Sequence, residues 1–153
     1  MFRAPEGHGK LRNALQSQEK AHLSGDCVPR VLVIDDEPLV ALMVKRALAE
    51  AHEVGVDHSA HAGVDRFARG ERWDVIIADL HLADGDAIWV RDELARLDPG
   101  LPARLLVITG GASTPAGKAF LREPGVRWLQ KPFRAAELLA RVQEVLAISS
   151  CPA

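Results

Sequence analysis

The sequence predicts an α/β domain, a doubly wound parallel sheet of five strands with helices on both faces. Three observations predict it. Short runs without polar alternation, such as Val31-Leu32-Val33-Ile34 and Val75-Ile76-Ile77-Ala78, have the composition of strands buried on both faces. Strand-like runs alternate with stretches of helical apolar spacing five times over, the pattern that right-handed crossovers fold into a doubly wound sheet. The length, 153 residues of which 48% are apolar and 26% charged, suffices for one core but not two.

Residues 1–29 are polar and broken by Gly7, Gly9, Gly25 and Pro29, with a modest helical pattern at Leu11, Ala14, Leu15 and Ala21. They read as a tail or linker before a domain spanning residues 30–148, with 149–153 as a C-terminal tail. The first strand, 31–34, stops at Asp35-Asp36-Glu37-Pro38, where acids and a proline start a helix over 38–50. That helix places Leu39, Leu42, Met43, Ala47 and Leu48 along one stripe. A second strand over 53–57 and a helix over 60–69 follow, the latter ended by Gly70. The third strand, 75–78, meets Asp79 and the loop 80–85, and a helix over 86–97 stops before Pro99-Gly100. The fourth strand, 104–109, is closed by Gly110-Gly111. A short helix over 115–122 leads through Pro124-Gly125 to a fifth strand over 126–130 and a last helix over 134–147, which buries Leu138, Leu139, Val142, Val145 and Leu146.

Composition narrows the function classes. Nineteen basic and 21 acidic residues, spread along the chain for a net charge of −2, create no field that favours nucleic acid or a membrane surface. Cys27 and Cys151 lie far apart without zinc-type spacing, which fits a reducing, cytoplasmic setting. No apolar stretch approaches the ~20 residues of a membrane span.

In a doubly wound sheet the ligand site lies beyond the carboxyl ends of the strands. The polar residues expected there are Asp35 and Asp36 after the first strand, Asp79 after the third, Thr109 on the fourth and Lys131 past the fifth. Three carboxylates gathered at the end of a low-dielectric core repel one another unless a cation sits between them, and oxygen-only ligands suit magnesium. Lys131 adds a point charge for a phosphate oxygen, while Thr109 and the Gly110-Gly111 backbone add hydroxyl and amide donors.

Asp35-Asp36-Glu37, Asp79 within Ala78-Asp79-Leu80-His81-Leu82-Ala83-Asp84-Gly85-Asp86, Thr109-Gly110 and Lys131-Pro132-Phe133 resemble the signature positions of response-regulator receiver domains of two-component systems, in order and at similar separations. The resemblance covers residues 30–148. It implies a flavodoxin-like sheet of strand order 2-1-3-4-5, and Asp79 as the acceptor of a phosphoryl group from a histidine kinase or histidine phosphotransfer protein. It also implies Mg2+ (or Mn2+) bound by Asp36, Asp79 and the His81 backbone carbonyl, with Asp35 acting through water. Thr109, Gly110 and Lys131 would bind the phosphoryl group. Thr109, Trp128 and Pro132, with Lys131-Pro132 cis, would switch the face made by the fourth helix, fifth strand and fifth helix, which is also a candidate homodimer surface. Trp128 stands where the family usually has tyrosine or phenylalanine, and Ala83 and Ala87 where it often has proline and glycine. His81 and Gly111 occupy positions that tune dephosphorylation in the family.

Such a domain is a phosphoacceptor, at most catalysing its own phosphorylation and dephosphorylation. It is expected either to stand alone or to come from a hybrid histidine kinase, since no room remains for a helix-turn-helix output. The competing readings are a degenerate receiver used only for protein contacts, and a phosphohydrolase of the haloacid dehalogenase type, whose Asp-x-Asp-x-Thr is replaced here by Asp35-Asp36-Glu37-Pro38. Taken singly, each signature residue has a plainer reading. The acids cap a helix, Thr109 ends a strand, Trp73 and Trp89 pack, His58 and His61 are solvated, and Arg66, Arg69 and Arg72 line a solvated face.

Overall fold

The computed structural model describes residues 27–149. The expected helical tendency of residues 11–23, and most of both expected tails, lie outside them.

Five parallel strands alternate with five helices. They are β1 (Arg30–Ile34), α1 (Pro38–Leu48), β2 (Glu53–Asp57), α2 (Ala60–Ala68), β3 (Val75–Asp79), α3 (Ala87–Leu97), β4 (Leu105–Thr109), α4 (Pro115–Arg122), β5 (Arg127–Gln130) and α5 (Ala135–Ser149), with a 3-10 turn at Leu101–Arg104 before β4. The strand order is β2-β1-β3-β4-β5, as expected. The last helix continues two residues beyond its expected end. At the other end Pro29 already belongs to the fold, its carbonyl accepting from Glu53 N–H at 2.9 Å.

Alternation along the strands splits the core into two layers. Leu32, Ile34, Ile76, Ala78, Leu105 and Val107 face α2, α3 and α4, whereas Val31, Val33, Val75, Ile77, Leu106 and Ile108 face α1 and α5. This parity places the polar strand ends. Asp35 continues the α1–α5 side of Val31 and Val33, Asp79 that of Ile77, and Lys131 that of Leu129. Thr109 continues the opposite side, with Val107. Register brings them level, because Ile34 pairs with Ala78, Asp79 with Ile108 and Thr109 with Gln130.

Of the stripe the sequence suggests for helix α1, Leu48 is buried but Leu39, Leu42 and Met43 are not. Ala41, Val44 and Leu48 face the sheet, while Leu39 and Met43 are 76% and 64% exposed and Leu42 is also exposed. The helix carries two apolar stripes of equal period, and the stripe that faces the sheet is set by how the β1–α1 turn enters the helix. Ala47 is half-buried beside the α1–α5 layer.

Trp73 packs as expected, its ring lying over Gly55 of β2. The indole N–H donates to Glu71 Oε2 at 3.1 Å, and the guanidinium carbons of Arg30 and Arg66 lie 4.2 and 5.6 Å from the ring centroid. Arg66 is therefore not part of a solvated face. It donates to both carboxylate oxygens of Asp57 and covers the ring that a solvated arginine would leave bare.

A Cβ on residue 55 would lie 2.5 Å from Trp73 Cη2. Gly55→Val should lower stability by about 1–3 kcal/mol, because a buried indole caged by two arginines has nowhere to retreat. Urea unfolding tests this, and an unchanged midpoint would contradict the packing described.

Candidate functional site

Each acid at the carboxyl edge is held by the element that carries it. The β1–α1 turn points Asp35 into the fold, fully buried, where its Oδ1 accepts from Glu37 N–H at 2.9 Å. Asp79, 6% exposed, accepts from His81 N–H at Oδ1 (3.2 Å) and from Lys131 Nζ at Oδ2 (3.0 Å). Lys131 Nζ also lies 3.5 Å from Asp35 Oδ2. Asp36 Oδ2 accepts from Ala83 N–H at 3.1 Å. One carboxylate oxygen from each of Asp35, Asp36 and Asp79 lies within 4.8 Å of the others.

The expected carboxylates and Lys131 thus meet in one pocket. Thr109 stands beside them, fully buried, with its Oγ1 accepting from Gly111 N–H at 3.0 Å and its carbonyl from Lys131 N–H at 2.7 Å. Gly110 is exposed next to it, and the Lys131–Pro132 peptide bond is cis. Trp128 is half-buried on the Thr109 side of the sheet. It borders a cavity of about 310 Å³ with Gly111, Ala112, Lys118, Leu121 and Gln130.

The charges explain one another. Burial pushes the Asp35 carboxyl above its ordinary value; the Glu37 N–H and Lys131 oppose this, and the neighbouring Asp79 adds to it. Burial disfavours the Lys131 ammonium, but its hydrogen bond to Asp79 and the charges of Asp79 and Asp35 more than compensate, so its pKa is raised. Asp35 Oδ2 is buried without a hydrogen-bond partner. A buried acceptor left open in a cluster made only of carboxylates fits a hard, oxygen-seeking divalent cation, and Asp35, Asp36 and Asp79 could hold one.

Several participants were not legible as such. The resemblance gives His81 a role through its backbone carbonyl; its ring is engaged as well, with Nε2 3.2 Å from the Gly111 carbonyl, linking the β3–α3 and β4–α4 loops. His58 and His61 are exposed, as expected, and each also has a hydrogen-bond partner. His58 Nδ1 lies 2.9 Å from the Asp35 carbonyl, and His61 Nδ1 lies 2.8 Å from Asp84 Oδ2. Asp84 itself was not singled out, because its partners at the start of α2 lie some 25 residues earlier in the chain and only the fold brings them together.

The family described as response regulator receiver domain matches residues 31–143. The probable transcriptional regulatory protein TcrX of Mycobacterium tuberculosis is 32% identical over 117 residues, covering 76% of this chain and 49% of that protein. A protein-glutamate methylesterase/protein-glutamine glutaminase of Anaeromyxobacter dehalogenans is 34% identical over 119 residues, covering 74% of this chain and 33% of that one. The chain spans about half or less of the length of these curated relatives. Among solved structures, a response regulator receiver domain protein (CheY-like) from Methanospirillum hungatei superposes with a TM-score of 0.70 at 22% identity, covering 80% of this chain and 97% of that one.

Asp35 binds its proton more tightly folded than unfolded. Stability from this group is therefore complete below the unfolded value near 3.8 and is lost as pH rises through the raised folded value. Asp35→Asn removes that loss. In metal-free buffer it should stabilise the protein at neutral pH by on the order of 1 kcal/mol and give no gain once pH falls below the unfolded value. Urea midpoints across pH check this, and a destabilised neutral-pH variant would contradict the electrostatic reading.

Proposed function

Because the chain belongs to the response regulator receiver domain family, we propose that it serves two-component signalling by accepting a phosphoryl group on Asp79. The observation that carries this reading is the pocket itself, where Asp79 lies beside a lysine ammonium and two further carboxylates at the carboxyl edge of the sheet.

In this reading an Asp79 carboxylate oxygen attacks the phosphorus of a phosphohistidine. The new P–O bond forms as the P–N bond breaks, and the bonding pair leaves with the imidazole nitrogen. Phosphoryl transfer has a loose transition state, so positioning and charge stabilisation supply most of the rate. Lys131 holds Asp79 in place and meets the charge gathering on a phosphoryl oxygen. The Thr109 hydroxyl and the Gly110 backbone take up the oxygens on the other side. Asp36, Asp79 and the His81 carbonyl would hold magnesium or manganese, with Asp35 acting through water, and the ion would neutralise charge on the phosphoryl oxygens.

The product acyl phosphate changes charge beside Thr109, which shares a sheet face with Trp128. Movement of Thr109 toward the phosphoryl group, with Trp128 following into the adjoining cavity, would carry that change to the α4, β5 and α5 surface past Pro132. A second copy of the chain could read this surface. The donor is a histidine kinase or histidine phosphotransfer protein, and the exposed Leu39, Leu42 and Met43 on α1, next to the acidic turn, support such a partner.

Intact mass after incubation with magnesium and acetyl phosphate tests the proposal. Wild type should gain one labile phosphoryl adduct, Asp79→Asn should gain none, and Lys131→Ala should label at least about 100-fold more slowly. Full labelling of Asp79→Asn would refute the assignment.

A further inference from the structure

The β3–α3 loop reaches the acidic pocket through its backbone. His81 N–H donates to Asp79 at 3.2 Å and Ala83 N–H to Asp36 at 3.1 Å, so the placement of two pocket carboxylates depends on where this loop runs. Ala83 leaves its own φ unrestrained, and the loop needs an external tie. Asp84 provides one. Its carboxylate turns away from the pocket to the start of α2, where Oδ1 accepts from Ala60 N–H at 2.8 Å. Its Oδ2 accepts from the Ser59 hydroxyl at 2.6 Å, from His61 N–H at 3.0 Å, and lies 2.8 Å from His61 Nδ1. Partial burial works against the Asp84 charge, but these donors outweigh it and hold its carboxyl far below the ordinary value.

The tie extends to α3. The His61 ring lies against Trp89 with centroids 4.3 Å apart, and Gly85, at φ +154°, passes so close that a Cβ would lie 3.1 Å from the Trp89 ring. The loop is thereby clamped between two helices immediately after Ala83.

We infer that Asp84 is a positioning residue for the chemistry at Asp79, tying the β3–α3 loop to the N-terminus of α2 so that the His81 and Ala83 amides stay on the pocket carboxylates. The inference rests on the receiver reading of the pocket. Asp84 touches no reacting atom; its removal frees the loop and shifts the metal and phosphoryl ligands together.

The test is the rate of acetyl phosphate labelling of the full chain, followed by intact mass across a magnesium titration. Asp84→Ala should raise the half-saturating magnesium concentration and lower the saturated rate, each by about tenfold, with the helical circular dichroism of wild type. A merely structural role would lower the fraction labelled without moving the magnesium half-saturation. Should Asp84→Ala not fold, Ser59→Ala combined with His61→Ala removes both side-chain donors to Asp84, along with the Ser59 cap of α2 and the ring on Trp89, keeps the two amide donors, and should move the half-saturation the same way by about threefold. Folded Asp84→Ala, or the folded double variant, with wild-type magnesium dependence overturns the inference while a labelled wild type keeps the receiver reading. An unlabelled wild type removes both.

Discussion

Three carboxylates each bring one oxygen within 4.8 Å of the others at the end of an apolar sheet, and the rest of the site is arranged around that repulsion. With all three ionised, Lys131 offsets one charge and leaves two negative charges in a region of low effective dielectric, where like charges repel most strongly. The fold meets part of this cost by itself. Burial favours the protonated form of Asp35, Lys131 bridges toward Asp35 and Asp79, and backbone amides of Glu37, His81 and Ala83 each donate to one carboxylate. The remainder, which includes an Asp35 Oδ2 that has an ammonium 3.5 Å away but no hydrogen bond, is what a divalent cation would relieve.

Sheet geometry makes this gathering possible and also separates it from its readout. Alternation sends Asp35, Asp79 and Lys131 to the α1–α5 side, and Thr109 and Trp128 to the side of α4. Thr109 nevertheless touches both. Its carbonyl accepts from Lys131 N–H and its hydroxyl from Gly111 N–H, so one buried residue joins the two sides. The loops that close the pocket are tied to one another by His81 and to α2 by Asp84, whereas the apolar side of α1 facing solvent is tied to nothing among the described residues.

How much of this was legible in the sequence follows from the range of each interaction. The strands and their polar ends were readable because a buried parallel strand is a local pattern, an apolar run cut off by an acid, and the carboxyl-edge rule then singles out Asp35, Asp36, Asp79, Thr109 and Lys131. The buried face of α1 was not readable, since Leu39, Leu42 and Met43 match helical spacing as well as Ala41, Val44 and Leu48 do. Nor were Gly55 beneath Trp73, Arg66 over that ring, or Asp84 at the start of α2. Each joins residues that only the folded topology brings together, and each looks locally like an ordinary turn or surface charge.

A cation held by the carboxylate cluster would relieve the repulsion that Lys131 and the backbone amides leave, and urea unfolding across magnesium concentrations tests for it. A ligand that binds only the folded state stabilises it as the logarithm of its concentration above Kd. Wild type should show that rise, and Asp36→Asn, which removes a proposed ligand without opening the core, should show little of it. A flat wild-type response, or an equal rise in Asp36→Asn, would contradict the account.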